Sequence, residues 1–362
     1  MPGRAPERAG FGLGASCGAC SRHRCGGGRT GAAGSDAADR APQREETPLA
    51  IVLDVILPIF GLLAFGYAAT FTRVFGEAAA SALASFVFYF AIPVLLFRSM
   101  ATTELPDEIA WGYLGSFYGG TAIAFGLGFA IARTAFGGSF ERQAIIGFGS
   151  AFGNSVLLGV PVVLTGLGEA ASLPLFLLLA FHSTVLFTTI TIVLETGGAG
   201  REELRDVPAK ALGGLARNPI LWGLLGGIAC NLLDLSLPAA VARWTELVAG
   251  AAVPCALFSM GASLRAYRIA GALQPALVMV ALKLVVCPLA VWALATWVFE
   301  VPPLWAKVAI VLAAMPVGVN VYLFGVRYQA GEAESATAIL LSSILSVATL
   351  SAVLVWLDAG RG

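Results

Sequence analysis

"AAMPVGVNVYLFGVRYQ", residues 313–329, lies in a stretch apolar enough to cross a bilayer, yet it holds a proline, two glycines and an asparagine. Proline removes a backbone donor and its ring clashes with the preceding turn, so in hydrocarbon it strands carbonyls that only protein or water can satisfy. A segment of this kind belongs in a protein-lined cavity. A second segment has the same character: "SAFGNSVLLGVPVVLTGLG", residues 150–168, with Gly153, Asn154, Gly159 and Pro161 in its middle.

The rest of the chain sets these two segments in a membrane. Of its 362 residues 58% are hydrophobic and only 12% charged, and the mean hydropathy is +0.83, a composition that cannot form the surface of a water-soluble protein. The formal charge is zero, which leaves no basic face for nucleic acid. A membrane-spanning helix needs about 20 apolar residues. Ten stretches meet that need, at 49–70, 78–99, 110–132, 142–167, 171–195, 212–233, 239–263, 271–297, 304–327 and 332–357. The expected fold is therefore an all-α polytopic membrane protein.

The longest interior polar break, "ETGGAGREELRDVPAKA" at 195–211, divides the ten spans five and five. An odd number per half turns the second half upside down, giving two inverted five-helix repeats at 49–196 and 212–358 with a cytoplasmic linker at 197–211. The interrupted spans are the fourth and the ninth, each fourth in its half. Matched interruptions in the two halves are the pattern by which secondary transporters build a binding site.

Loop charges set the orientation. One side holds Arg73, Arg133, Arg142, Arg201, Arg205, Lys210, Arg217, Arg265, Arg268 and Arg327; the other holds Arg98, Arg243, Lys307 and Arg361. The first side is expected to be cytoplasmic, with both termini outside and the chain in a bacterial inner membrane. Residues 1–48 are rich in Gly, Ala and Arg and read as a disordered tail. Cys17, Cys20, His23 and Cys25 lie close together there but lack a second ligand pair at zinc-finger spacing, so no metal is assigned.

If the fourth and ninth spans break and cross near the midplane, each presents a half-helix N-terminus whose free amides suit a carboxylate. Asn154 and Asn320 stand beside the breaks, with Ser155 and Tyr322 as nearby hydroxyls and Pro161 and Pro316 as the breakers. Pro58, Pro93, Pro174, Pro254 and Pro288 read as ordinary kinks. Ionisable residues inside a membrane are informative because they are costly there. Lys283, in "ALKLVVCPLAV", is a fixed cation replacing a coupling ion, a counter-charge to an anion, or a structural partner to helix-end carbonyls. His182, in "LLLAFHSTVLF", is either a proton carrier or a hydrogen-bonded structural histidine. Asp54 reads as an interface residue, with a proton site as its alternative.

No G-x-x-x-x-G-K-[ST] or H-E-x-x-H segment occurs, and the span interiors lack a carboxylate pair, so ATP-driven pumping, metal hydrolysis and intramembrane proteolysis have no support. No cofactor and no enzyme activity are expected.

Five landmarks, in order, resemble the auxin efflux carrier family of the bile acid/auxin transporter superfamily: "FGNSVLLGVPVV", "RNPILWGLLGG", "VPCALFSMGASL", "LKLVVCPLAV" and "MPVGVNVYLFGVRY". The resemblance implies inverted repeats whose fourth and ninth helices cross at prolines, with Asn154 and Pro161 on one crossover and Pro316 and Asn320 on the other. It further implies elevator-like alternating access, often a homodimer, and small organic anions such as malate, malonate or indole-acetate as substrates. The central loop is shorter than in many plant carriers, and the tail has no counterpart there. A sodium-coupled symporter of the bile acid type and a non-transporting membrane anion sensor are the alternatives.

Overall fold

The apolar stretches become helices whose ends are marked by the residues that cap helices in general. In the computed structural model, residues 55–72, 74–102, 110–197, 212–213, 216–267 and 273–359 are described, all within the compact unit Glu46–Gly362. The tail, Asp54, and the expected linker beyond Gly197 lie outside the described residues.

Among the described residues twelve helices follow one another: α1 (Leu57–Ala69), α2 (Glu77–Thr102), α3 (Trp111–Phe136), α4 (Phe140–Ala151), α5 (Ser155–Leu167), α6 (Ser172–Gly197), α7 (Pro219–Leu232), α8 (Ala239–Ala266), α9 (Leu273–Trp297), α10 (Pro303–Ala313), α11 (Asn320–Tyr328) and α12 (Glu332–Asp358). Each expected span corresponds to one helix, except the fourth and the ninth, which are split into α4/α5 and α10/α11; in the first and sixth spans the described helices, α1 and α7, have 13 and 14 residues and are shorter than the expected spanning length. Six stretches among the described residues are long and apolar enough to cross a bilayer: α2, α3, Glu169–Leu194 containing most of α6, α8, α9 and α12.

Start signals are local. Ser139 caps α4 by accepting from the Arg142 amide at 3.2 Å. Asn218 caps α7 by accepting from the Ile220 amide at 3.0 Å, and its Nδ2 donates to the Ala180 carbonyl at 3.0 Å, tying α7 to α6. Pro219 and Pro303 occupy first-turn positions, where a missing N–H costs nothing.

Three prolines inside helices share one device. Pro93, Pro161 and Pro288 each stand two residues after a π-helical turn, at Val87–Ala91, Ser155–Gly159 and Leu282–Val286. Widening the turn by one residue makes room for the proline ring and removes the need for its absent N–H. The helix bends and continues. This corrects the expectation that Pro161 breaks the fourth span: it lies inside α5, among buried residues, seven positions after Asn154.

Glycines let particular helices touch backbone to backbone, as membrane helices require in place of a hydrophobic drive. Gly66 of α1 lies against Phe258 of α8 and Gly261 of α8 against Leu63 of α1; Gly223 and Gly227 of α7 lie against Pro93 and Phe97 of α2. Elsewhere Gly128 of α3 lies against Ser150 of α4, Gly120 of α3 against Val291 of α9, and Gly149 of α4 against Met279 of α9. The α1–α8 and α2–α7 pairs join into one group where α2 packs on α8, and the remaining close contacts join α3, α4 and α9 into a second. At one end of the second group Arg142 and the buried Glu334 form an ion pair of 2.7 Å between α4 and α12.

Candidate functional site

The two interruptions lie against each other. Between α4 and α5 the chain leaves helical geometry at Phe152–Asn154, and between α10 and α11 at Ala314–Val319. Gly153 and Val317 form an isolated antiparallel bridge, in which the Asn154 amide donates to the Pro316 carbonyl at 2.8 Å and the Gly318 amide to the Phe152 carbonyl at 3.0 Å. Each break supplies the hydrogen bonds that the other lost. A further donor is satisfied from α12, where Ser342 Oγ accepts from the Val317 amide at 3.0 Å.

Lys283 completes this pairing. It is 1% exposed, and its ammonium donates to the carbonyl of Ala313, the last residue of α10. A cation at a helix C-terminus answers both the orphan carbonyls and the negative end of the helix dipole. A Cβ at Gly153 would stand 2.9 Å from Lys283 Cε, so a glycine is needed for the lysine stem to lie against the first break. Of the three sequence readings of Lys283, the helix-end partner is the one these contacts satisfy directly.

Beside the bridge lies a cavity of about 470 Å³. Its walls come from both breaks and from the starts of α5 and α11, with Ser81, Ser85 and Tyr89 of α2 and His182 and Ser183 of α6 opposite. Asn154 is 6% exposed; its Oδ1 caps α5 by accepting from the Leu157 amide at 3.3 Å, and its Nδ2 donates to Met260 Sδ of α8 at 2.7 Å. Among the described residues the amides of Val156, Val319 and Asn320 and the side chain of Asn320 make no hydrogen bond. All three residues line the cavity. Among the described residues no carboxylate lines it. His182, 2% exposed, places Nε2 3.3 Å from Ser155 Oγ and its ring 5.2 Å from that of Phe152, while Nδ1 has no partner among the described residues.

Two half-helix ends with open amides, facing one cavity free of acidic groups, are the makings of an anion site. Comparison with known proteins gives the family. Residues 51–354 match the family described as "Membrane transport protein". The chain belongs to this family. It is a membrane transporter of the auxin efflux carrier family and not an enzyme. A "Putative malonate transporter" of Rhizobium meliloti (strain 1021) is 28% identical over 316 residues, covering 86% of this chain and 98% of that protein. An "Uncharacterized transporter" of Methanothermobacter thermautotrophicus (strain ATCC 29096 / DSM 1053 / JCM 10044 / NBRC 100330 / Delta H) is 25% identical over 303 residues, covering 82% and 95%.

Within this transporter the expected site residues separate into layers. Asn154, Ser155, Asn320 and His182 line the cavity. Pro316 contributes its carbonyl to the bridge, and Lys283 lies behind it. Tyr322 does not line the cavity: its ring meets that of Tyr267 edge-on, with centroids 5.5 Å apart. Pro161 is absent from the lining as well. Ser81, Ser85 and Ser183 were not expected. Serine hydroxyls in apolar helices bond their own preceding turn, as Ser85 Oγ does to the Ser81 carbonyl at 2.9 Å, and so give no distinctive sequence signal.

Proposed function

We propose that the chain is a secondary transporter of small organic anions, with a dicarboxylate of malonate size as its leading substrate. The observation that carries this reading is the pair of half-helix N-termini whose residues with open amides line one cavity that, among the described residues, no carboxylate lines. A substrate carboxylate there receives backbone N–H groups and the Asn154 and Asn320 side chains, with the Lys283 charge one layer behind. The name of the Rhizobium relative supports malonate over larger anions.

The proposed architecture is two inverted five-helix repeats, at 49–196 and 212–358, with their interrupted fourth members crossing at the site. Its support is an exchange of equivalent partners: α1 packs on α8 and α7 packs on α2. Swapping the first and sixth spans, and the second and seventh, turns one pair into the other. The α1, α2, α7 and α8 group then serves as scaffold, and the remaining helices carry the site past it in an elevator-type movement. A homodimer would join through the scaffold. Loop charges place Arg133, Arg142 and Arg265 on the cytoplasmic side of a bacterial inner membrane, with both termini outside.

The test is uptake and efflux of labelled malonate, malate and indole-acetate by the purified chain in proteoliposomes, with imposed pH and sodium gradients. Saturable malonate flux that indole-acetate competes with weakly is the expected result. A chain that moves none of the three above protein-free liposomes overturns the reading. Flux that requires sodium transfers it to the bile acid type of symporter.

A further inference from the structure

The cavity at the bridge continues into a second one. Ser81, Ala84, Leu157, Val319 and Leu323 line both, and the second, of about 700 Å³, runs along α2 to the ends of α1 and α8. Its far end supplies the charge that the inner cavity lacks, in Arg265 and Glu77, together with Thr70, Ser263 and Tyr267.

Arg265 is exposed but not loose. One guanidinium nitrogen donates to the Thr70 carbonyl at the end of α1, and the guanidinium carbon lies 4.7 Å from the centroid of the Phe71 ring. A planar cation held by one carbonyl and one ring face keeps its remaining N–H groups oriented and available for a carboxylate. It forms no ion pair among the described residues, although Glu77 lines the same cavity. Two residues along, burial pushes the Tyr267 hydroxyl up to about 12, helped by Tyr322 and Glu77, so it remains a neutral donor at physiological pH.

We propose that Arg265 and Tyr267 form a staging site for a carboxylate at the open end of this passage, where a dicarboxylate is captured before it moves inward to the half-helix ends. Glu77 keeps the capture weak. A station on a transport path must release what it attracts, and a nearby like charge does this without removing the cation. The inference rests on the anion-carrier reading and adds to it a second, one-sided site.

The test is the initial rate of labelled malonate flux by the full chain in proteoliposomes, measured in each direction at low and high salt. Arg265→Gln is expected to raise KM about fivefold for malonate entering from the Arg265 side at low salt, with kcat within about twofold, and the increase should shrink as salt rises. KM from the opposite side should stay where it was. Glu77→Gln should lower KM on the Arg265 side about twofold, the opposite sign, which a structural role for either residue would not produce. An Arg265→Gln variant with unchanged KM on both sides, or with kcat reduced equally in both directions, overturns the staging site. Should that variant fail to fold, Glu77→Gln decides: an unchanged or raised KM overturns the proposal. If wild type carries malonate and Asn154→Ala stops it while both mouth variants behave as wild type, the staging site alone falls. A wild type that moves no malonate removes both readings.

Discussion

Replacing Asn154 by alanine lowers malonate flux about 100-fold and leaves the amount of folded protein in the membrane within about twofold of wild type. The side chain caps α5 through the Leu157 amide, holds Met260, and lines the cavity. Losing a cap costs about 1 kcal/mol, which the bridge between the breaks survives because it is made by the Asn154 backbone and not by its side chain. The cavity, in contrast, loses an amide beside the half-helix end and the fixed register of the amides that follow. Asn154→Asp separates the two contributions. Aspartate keeps the cap on α5 but loses the donor to Met260 Sδ and brings a negative charge that repels the substrate, so flux should be lost as completely even where folded protein is recovered. Asn320→Ala should behave like Asn154→Ala. Initial rates normalised to protein, with size-exclusion profiles in detergent, measure both quantities. Wild-type flux in both asparagine-to-alanine variants would discard the site.

Replacing Lys283 by methionine removes flux and also destabilises the protein. Methionine keeps much of the buried stem but leaves the Ala313 carbonyl without its donor in apolar surroundings, which costs about 1–3 kcal/mol. The thermal midpoint of the purified chain should fall by about 2–5 °C. The end of α10, and with it the second break, loses the group that holds it against Gly153. A methionine variant that keeps wild-type stability and acquires sodium dependence would make Lys283 a cation surrogate instead of a helix-end partner.

Hydropathy alone located every helix, because the length and polarity of a spanning segment are dictated by the bilayer and not by its neighbours. The two interruptions were also legible, from the rarity of Pro, Gly and Asn together in apolar surroundings. Their mechanism was not. Pro161 carries the strongest local signal for a break, yet a π-turn absorbs it, as at Pro93 and Pro288. The actual departure at Phe152–Asn154 is imposed by pairing with Val317, more than 160 residues away, and no local feature encodes that partner. Lys283 shows the same limit: its depth was readable, but the Ala313 carbonyl that it meets was not. Tyr322 and Asn320 are two positions apart on α11 and so point to different sides, the tyrosine toward Tyr267 and the asparagine into the cavity. Sequence placed both beside the break; only the helix phase separates them.

The most direct measurement is an experimental structure of the chain with malonate bound. The account predicts a carboxylate within hydrogen-bond distance of the Asn154 and Asn320 side chains and of the amides that begin α5 and α11, with the Gly153–Val317 bridge intact beside it. Malonate bound elsewhere while that cavity holds only water, or residues 150–168 and 313–329 each forming an unbroken helix, would contradict it.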